Sequence, residues 1–538
     1  MYKQPQKAII VVMKKITANY HEQFLLPPCI EDWVSADHPA RFIRELADQL
    51  DLAQLGFQLT EPKVGRPPYD ERLLLRVWLY GYWKRVASTR KLEIACKENV
   101  GFMFLCGQNA PDHNTLWRFF KANQKALGRL YKQTIKIAIR MDLVGFVVQA
   151  LDGTKIQGAC SGKGKYDKSH LEKRLEHVDQ QIRELEQAVE QVHQQEETPD
   201  PSLPEPLRKA RVLKEQLSQA LASVEKEETK YCHPKEPEAR RMRANGRYHF
   251  GYNAQAVVDE KTGIIVAADV VQEQEDHTLL VEMTKQPVDN TGQKPDTLVA
   301  DCGYANASQF AEAEQETLNV LVPLPESSVP PEDQPYHSGH FTYEKESDEV
   351  ICPQGQRLPF RRERIKNKRT GNTVREYRNT AACRECPVRS DCTKSRHGRT
   401  IDLPQGYEAR QRMQKRLTDP ENQKLVKKRK QIVEVVFAWI KEMGGFRRWT
   451  VWGVDNVKAQ WFLVCSVVNL KKIYQAWLKT SGKFDDRMKG FGGNRGQGKP
   501  NQVNWWLRGL LKGQEIGKTG IMGFPVFRQL SVQGTPGK

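Results

Sequence analysis

Pro295-Asp296-Thr297-Leu298-Val299-Ala300-Asp301-Cys302-Gly303-Tyr304 is the stretch from which the rest of the chain can be placed. Thr297 to Ala300 forms a short apolar run, expected to be a buried strand, and Gly303 breaks it. Asp301 then stands at the strand's C-terminal end, where open α/β sheets expose their chemistry. Phe146-Val147-Val148-Gln149-Ala150-Leu151-Asp152-Gly153-Thr154 repeats the pattern and places Asp152 at a second strand end. Two carboxylates on one sheet edge suit Mg²⁺ or Mn²⁺, hard ions that keep waters and take phosphate oxygens as further ligands. Either Asp alone is explained by a turn after a strand, which Asp-Gly often makes. The pair gains meaning only with a third carboxylate and a reason to meet phosphate.

Composition supplies that reason. The chain has 538 residues, with Lys+Arg 84 against Asp+Glu 66 and a net charge of +18. This length accommodates about three domains. A basic excess points to a polyanionic partner. The excess is clustered: residues 356–401 hold 14 Lys/Arg against 4 Asp/Glu, and residues 481–538 hold 10 against 3. Clusters of this kind indicate nucleic acid, the alternative being a solvated surface and tail. The apolar run Ala8 to Met13 is shorter than the ~20 residues of a spanning helix and lacks a signal-peptide cleavage site. Eleven cysteines without such a signal argue for reduced thiols or metal, so a cytoplasmic protein is expected.

Residues 1–37 form an N-terminal extension in which Pro27-Pro28 breaks any helix, and residues 38–143 carry a helical pattern. Phe42, Leu46 and Leu50 share a face, and Gly65-Arg66-Pro67-Pro68 is a linker. Asp70 can cap a helix bearing Leu73, Leu74, Val77 and Trp78. Lys84, Arg85, Arg90 and Lys91 between short helices fit a helix-turn-helix type DNA-binding module. Pro111-Asp112-His113-Asn114-Thr115 opens what is expected to be one long helix through Phe120 and Leu127.

A catalytic α/β unit is expected over 144–478, with two insertions. In the first, 168–230, Leu171, Leu175, Val178, Ile182, Leu185, Val189 and Val192 make a heptad seam. Prolines 199, 201, 204 and 206 interrupt it, and Leu207 to Val224 returns. Two helices of similar length around a proline-rich break suggest a helical hairpin, the alternative being pairing between subunits. Phe250–Asp259 and Ile264–Val271 suggest a β-hairpin around Lys261-Thr262-Gly263. The second insertion, 337–400, carries Cys352-Pro353-Gln354-Gly355 and Cys383-x₂-Cys386-x₅-Cys392, which suggests a Cys₄ zinc ribbon. A loop of free thiols or a site including His397 is the alternative. Residues 479–538 are expected to be a basic flexible tail.

Residues 421–443 are expected to be one helix with Ile432, Val435, Val436, Trp439 and Met443 on its apolar face. Glu434 lies on another face with Lys430 and Lys441, among Lys427, Lys428 and Arg429. A surface Glu in ordinary i,i+4 ion pairs explains this. A third metal-binding carboxylate flanked by phosphate-holding cations explains it too.

Residues 38–478 resemble the DDE transposases of bacterial insertion sequences, which share a ribonuclease-H-like fold with retroviral integrases. The resemblance rests on Pro111-Asp112-His113-Asn114-Thr115-Leu116, Leu151-Asp152-Gly153-Thr154-Lys155, Gly251-Tyr252-Asn253-Ala254-Gln255 and Ala300-Asp301-Cys302-Gly303-Tyr304. It continues in Ile432-Val433-Glu434-x-x-Phe437-x-x-Ile440-Lys441 and in Gly445-Phe446-Arg447-Arg448 through Asn469-Leu470. The family's signature Tyr-x₂-Arg-x₃-Glu-x₆-Lys is met in its second half by Glu434 and Lys441. Lys427 and Lys430 stand where Tyr and Arg would be, with Arg429 one place off.

The resemblance implies a ribonuclease-H-like mixed sheet flanked by helices, and catalysis by Asp152, Asp301 and Glu434 holding two Mg²⁺ or Mn²⁺ ions. It implies Lys427, Arg429, Lys430 and Lys441 as contacts to double-stranded DNA. The partners would be the element's terminal inverted repeats and target DNA, engaged by a homodimer in the bacterial cytoplasm and nucleoid. Trp449 and Trp452 are expected in the core, stacking on an unpaired base being the alternative role. A non-catalytic DNA-binding regulator on this fold, or a nuclease that cleaves without joining, would share these features apart from the chemistry.

Overall fold

The structure, a computed structural model, describes residues 29–61, 67–160, 166–193, 204–226, 229–244, 246–325, 333–367 and 372–489. Pro27-Pro28, Gly65-Arg66, Pro199, Pro201 and the tail beyond 489 lie outside the described residues.

A 3₁₀ turn (Ile30–Trp33) leads into α1 (Pro39–Gln49), α2 (Glu71–Trp83), α3 (Thr89–Glu98), α4 (Val100–Cys106), α5 (His113–Ala122) and α6 (Gln124–Arg140). The Asp70 carboxylate accepts from the Arg72 N–H at 2.6 Å, and Asp112 accepts from Asn114 and Thr115, both at 2.9 Å. These are the side-chain caps that helix N-termini need, because their first N–H groups have no partner within the helix. Phe42, Leu46 and Leu50 are buried together as their spacing predicts. The single helix expected from His113 onward is instead two, divided at Asn123. That buried amide accepts from the Gln58 N–H at 2.7 Å and donates to the Phe119 carbonyl at 2.9 Å. A side chain that bonds the backbone in this way competes with the helix ladder.

The central sheet begins with β1 (Val148–Gln157), followed by α7 (Lys168–His193) and α8 (Glu205–Lys226). Then come β2 (Arg240–Ala244), β3 (Arg247–Asp259), β4 (Ile265–Val271), α9 (Leu280–Thr291), β5 (Thr297–Val299), α10 (Ala307–Gln315) and β6 (Val320–Leu321). Its order is β2-β3-β1-β5-β6, with β4 also on β3. β3 pairs antiparallel with β1, β2 and β4, whereas β5 runs parallel to β1 and β6. This half-antiparallel, half-parallel sheet is consistent with a ribonuclease-H-like fold. The ion pairs Lys168–Glu225, Asp179–Lys214 and Glu186–Arg211 match ascending numbers on α7 with descending ones on α8. The two helices are therefore antiparallel within one chain, burying Leu171, Val178, Leu207 and Leu217 between them.

A second sheet, wholly antiparallel, has the order β11-β10-β9-β8-β7. It comprises β7 (Thr342–Glu344), β8 (Glu349–Ile351), β9 (Arg357–Asn367), β10 (Asn372–Tyr377) and β11 (Ile401–Pro404), with α11 (Thr380–Arg384) and α12 (Arg389–Cys392) before the last strand. α13 (Tyr407–Arg416) and α14 (Pro420–Arg429) come next. The helix then continues through a π turn (Lys430–Glu434), α15 (Val435–Ala438) and a second π turn (Trp439–Met443). α16 (Val454–Lys489) closes the described chain, extending past the 479 boundary expected for the tail.

The N-terminal helices and the central sheet share one hydrophobic core, in which Trp78, Phe120, Tyr131, Tyr252, Trp449 and Trp461 are all fully buried. Polar clips run through it. Tyr131 Oη donates to the Ile265 carbonyl at 2.9 Å, and Gln460 Nε2 donates to Tyr82 Oη at 2.6 Å. Asn469 on α16 accepts from the Ile265 N–H at 2.8 Å and donates to its carbonyl at 3.0 Å, fastening the helix to β4. Asn469→Leu should therefore leave the buried Ile265 N–H unpaired and cost about 1–3 kcal/mol. A lowered urea midpoint would register this, and a midpoint unchanged from wild type would show the clip to be dispensable.

Candidate active site

Register, more than strand ends, brings the two aspartates together. Ala150 on β1 stands opposite Val299 on β5, so Asp152 and Asp301 each lie two residues beyond the last matched pair. Neighbouring strands are about 4.8 Å apart, which sets the two Cα positions side by side. Asp301 comes just after the end of its strand, as its sequence predicts, at the residue preceding a 3₁₀ turn (Cys302–Tyr304), with no side-chain bond to that turn's N–H groups. Asp152 does not end a strand: β1 runs on through it to Gln157, paired with β3. Gly153 has a reason other than turning the chain. A Cβ there would lie 2.3 Å from Gln255 Nε2 and 3.0 Å from both Asn253 Oδ1 and Asp276 Oδ1. Its bare backbone lets these side chains cross the strand.

Glu434 arrives from the long C-terminal helical segment, whose geometry departs from the expected regular helix. Ile432, Val433, Val436, Phe437 and Ile440 are buried, whereas Val435 and Met443 are exposed at 63% and 54%. The buried positions keep helical spacing, but their stripe runs through Val433, Phe437 and Ile440 and not through Val435 and Met443. Two π turns also interrupt this segment, and each adds a residue to a turn and rotates the downstream residues relative to an α-helix. With i→i+5 spacing across Lys430–Glu434, Arg429 shares the face of Glu434, and Lys430 is turned to solvent. The residue one place off in the sequence is therefore the one that reaches the carboxylates.

Arg429 is buried, at 6% exposure, and its guanidinium is the centre of the site. Nη1 donates to Asp152 Oδ2 at 2.8 Å, while Nη2 lies 3.6 Å from Asp301 Oδ1 and 3.7 Å from Glu434 Oε1. Burial pushes the Asp152 carboxyl above the usual range, and Arg429 offsets part of that rise. Burial pushes the Lys441 ammonium below its usual range, opposed by the charge of Asp152. Lys441 is thus half-buried within the field of the site, whereas Lys427 and Lys430 are exposed.

Behind the aspartates, Asp276 accepts from Asn253 Nδ2 at 2.6 Å and from Gln255 Nε2 at 2.8 Å. Gln255 Oε1 accepts in turn from the buried Tyr304 hydroxyl. Sequence reasoning missed Asp276, which stands in the unpatterned segment after β4 with nothing in its spacing to single it out. On the flank, Arg448 donates to the carbonyls of Gly158, Ala159 and Cys160 at 3.0, 2.6 and 2.8 Å, pinning the end of β1. Trp449 is buried as expected. Trp452 is not: it is 48% exposed.

Three carboxylates around one cation form an oxygen donor set suited to a hard divalent ion. The guanidinium stands in for that ion, so the residues fit Mg²⁺ or Mn²⁺. Among the described residues no group of three or more His, Cys, Asp or Glu side chains is already gathered to hold a metal. Here Arg429 fills the space between them. Arg429→Ala should destabilise the metal-free protein by about 2 kcal/mol, less than the ~3–5 kcal/mol of a fully buried pair because Asp152 is still partly open to water. It should also enlarge the rise in melting temperature produced by Mn²⁺, since the ion no longer competes with a resident cation. An equal Mn²⁺ shift in variant and wild type would mean that the guanidinium and the ion use different places.

Residues 351–474 match the family model described as Transposase DDE domain, and residues 28–122 match that described as Transposase domain (DUF772). No curated protein matches the chain. The first match contains Glu434, Lys441, the four cysteines of the second sheet and its strands β9 to β11; the second covers the helical region through α5, and Asp152 and Asp301 lie in neither. Both models are typical of bacterial insertion-sequence transposases, and together they match less than half of the chain.

Proposed function

We propose that the protein binds the ends of its mobile element and catalyses metal-dependent DNA strand cleavage and strand transfer at Asp152, Asp301 and Glu434. One observation carries the reading: three carboxylates from segments far apart in sequence surround a single buried cation. A structural ion pair needs one acid, and a third is an electrostatic cost unless positive charge is to be held there. Divalent ions bound by these acids would activate a water or a 3′-hydroxyl and stabilise the leaving oxygen in an in-line displacement.

The chain's own residues place the substrate. Asp152 and Asp301 are fixed by strand register, and Glu434 by the helix packed across β1 and β3. Lys427, Lys430 and Lys441 hold backbone phosphates of double-stranded DNA, which positions the scissile bond without reading sequence. Arg429 holds the carboxylates in place before an ion arrives. The N-terminal helices, through Lys84, Arg85, Arg90 and Lys91, recognise the terminal repeats. A homodimer in the cytoplasm would pair two element ends and present them to target DNA. The unit boundaries that fit this reading are 38–143 for end binding and 144–478 for chemistry. Among the described residues no helix is long and apolar enough to cross a membrane.

Asp152→Asn, Asp301→Asn and Glu434→Gln should each abolish cleavage of an element-end duplex and leave its binding nearly intact, because they remove charge but little shape. Gel assays with labelled ends would report both steps. Cleavage by any one variant would remove that residue from the site, and cleaved but never joined products would indicate a nuclease.

Lys441→Ala should weaken binding to element ends and unrelated DNA alike. The log–log salt dependence of affinity should flatten by about one unit for the lost phosphate contact. An unchanged slope would confine Lys441 to an electrostatic role within the protein.

A further inference from the structure

The cysteine-bearing sheet is poorly provided with the usual source of stability. Among the described residues, its five strands and two short helices enclose a separate hydrophobic cluster of six buried residues: Phe341, Val350, Leu358, Tyr377, Ile401 and Leu403. A unit with so small a core normally needs a disulfide or a metal to remain folded. It has four cysteines, and Cys352, Cys383, Cys386 and Cys392 are all free thiols.

These four side chains belong to two facing segments. Cys352 opens the turn between β8 and β9. There the Cys352 N–H donates to the Gln356 carbonyl at 2.9 Å, the Gly355 N–H donates to the Cys352 carbonyl at 2.8 Å, and the Gln356 N–H donates to Cys352 Sγ at 3.3 Å. Gly355 takes a left-handed φ of 74° that closes the turn. Opposite, Cys383 lies on α11, Cys386 in the connection and Cys392 at the end of α12. Gly398 closes on Cys383 so tightly that a Cβ would lie 2.5 Å from its Cβ and 3.0 Å from its Sγ.

All four cysteines line one small cavity of about 30 Å³, walled by Leu358, Phe341 and Arg399. His397 does not line this cavity; it is exposed, with Nε2 accepting from Arg396 Nε at 3.0 Å. Among the described residues no three of these thiols are already gathered around one point, so binding an ion would require them to close on it.

We propose that Cys352, Cys383, Cys386 and Cys392 bind one structural Zn²⁺, which clamps the β8–β9 turn to the α11–α12 segment. Four thiolates leave no open coordination position, so the site supports the sheet and performs no chemistry. The sheet carries the basic strand β9, with Arg357, Arg361, Arg362 and Arg364, so zinc would order a positively charged surface.

Elemental analysis of the full-length protein, purified without chelator, should find about one zinc per chain. Cys383→Ser and Cys352→Ser should each lose it, and Cys29→Ser, an exposed thiol outside the cluster, should keep it. Should the cluster variants misfold, wild-type protein stripped of metal and given Co²⁺ should develop thiolate-to-cobalt charge-transfer absorption. Proteolysis within 337–400 should rise on chelation and fall when Zn²⁺ is returned. Absence of zinc from wild type together with failure to take up Co²⁺ would overturn the proposal, as would iron in place of zinc. So would full zinc content in Cys383→Ser.

Discussion

Two carboxylates on one edge of a sheet and a third from the helix packed beside it repel one another, and the buried guanidinium of Arg429 lies among them as their counter-charge. Its 2.8 Å bond to Asp152 and its position within 3.7 Å of Asp301 and Glu434 make it the counter-charge of the whole edge. Two backbone features put it there. The parallel register of β1 and β5 sets the aspartates side by side, and the π turn at Lys430–Glu434 rotates Arg429 onto the face of Glu434. A regular α-helix would have presented Lys430 there instead, with Arg429 turned away. π turns cost backbone stability and are found most often at functional sites. The extra residue here has such a use.

The support behind this edge is polar and, apart from the buried Asn253 Oδ1, hydrogen-bonded. Asn253 and Gln255 donate to Asp276, Tyr304 donates to Gln255, and Trp461 Nε1 donates to the Gln255 carbonyl at 3.0 Å. Such a network fixes side chains where an apolar core would let them adapt. The same logic explains Gly153, whose missing side chain gives that network its room. The chemistry-bearing face and its supports are thus built from β1, β3 and the two segments that return to them.

Much of this is legible in the sequence, and the failures have specific causes. The two Asp-bearing strands, the β3–β4 hairpin, the capped helix at Asp70 and the α7–α8 pair all come from periodicity and turn residues. The end of β1 is misplaced by sequence alone because Asp-Gly is a common turn pair. Only the amides crossing from β3 disclose the other use of that glycine. The apolar face of the Glu434 helix keeps its 3.6 period but is phased on Val433, Phe437 and Ile440, which local spacing alone does not distinguish from Val435, Trp439 and Met443. Asn123 ends a helix through a partner, Gln58, that no local window contains. Asp276 and Arg429 share that difficulty: their roles come from long-range contacts, and their neighbours in sequence are ordinary charged residues.

The central claim is that Asp152, Asp301 and Glu434 hold a divalent ion together. Replacing Mg²⁺ with Fe²⁺ and generating hydroxyl radicals with ascorbate and peroxide would cut the backbone next to the bound metal. The account predicts fragments ending near residues 152, 301 and 434, and their suppression by excess Mg²⁺. Cuts at only one of these segments, or cuts elsewhere that Mg²⁺ suppresses equally well, would contradict it.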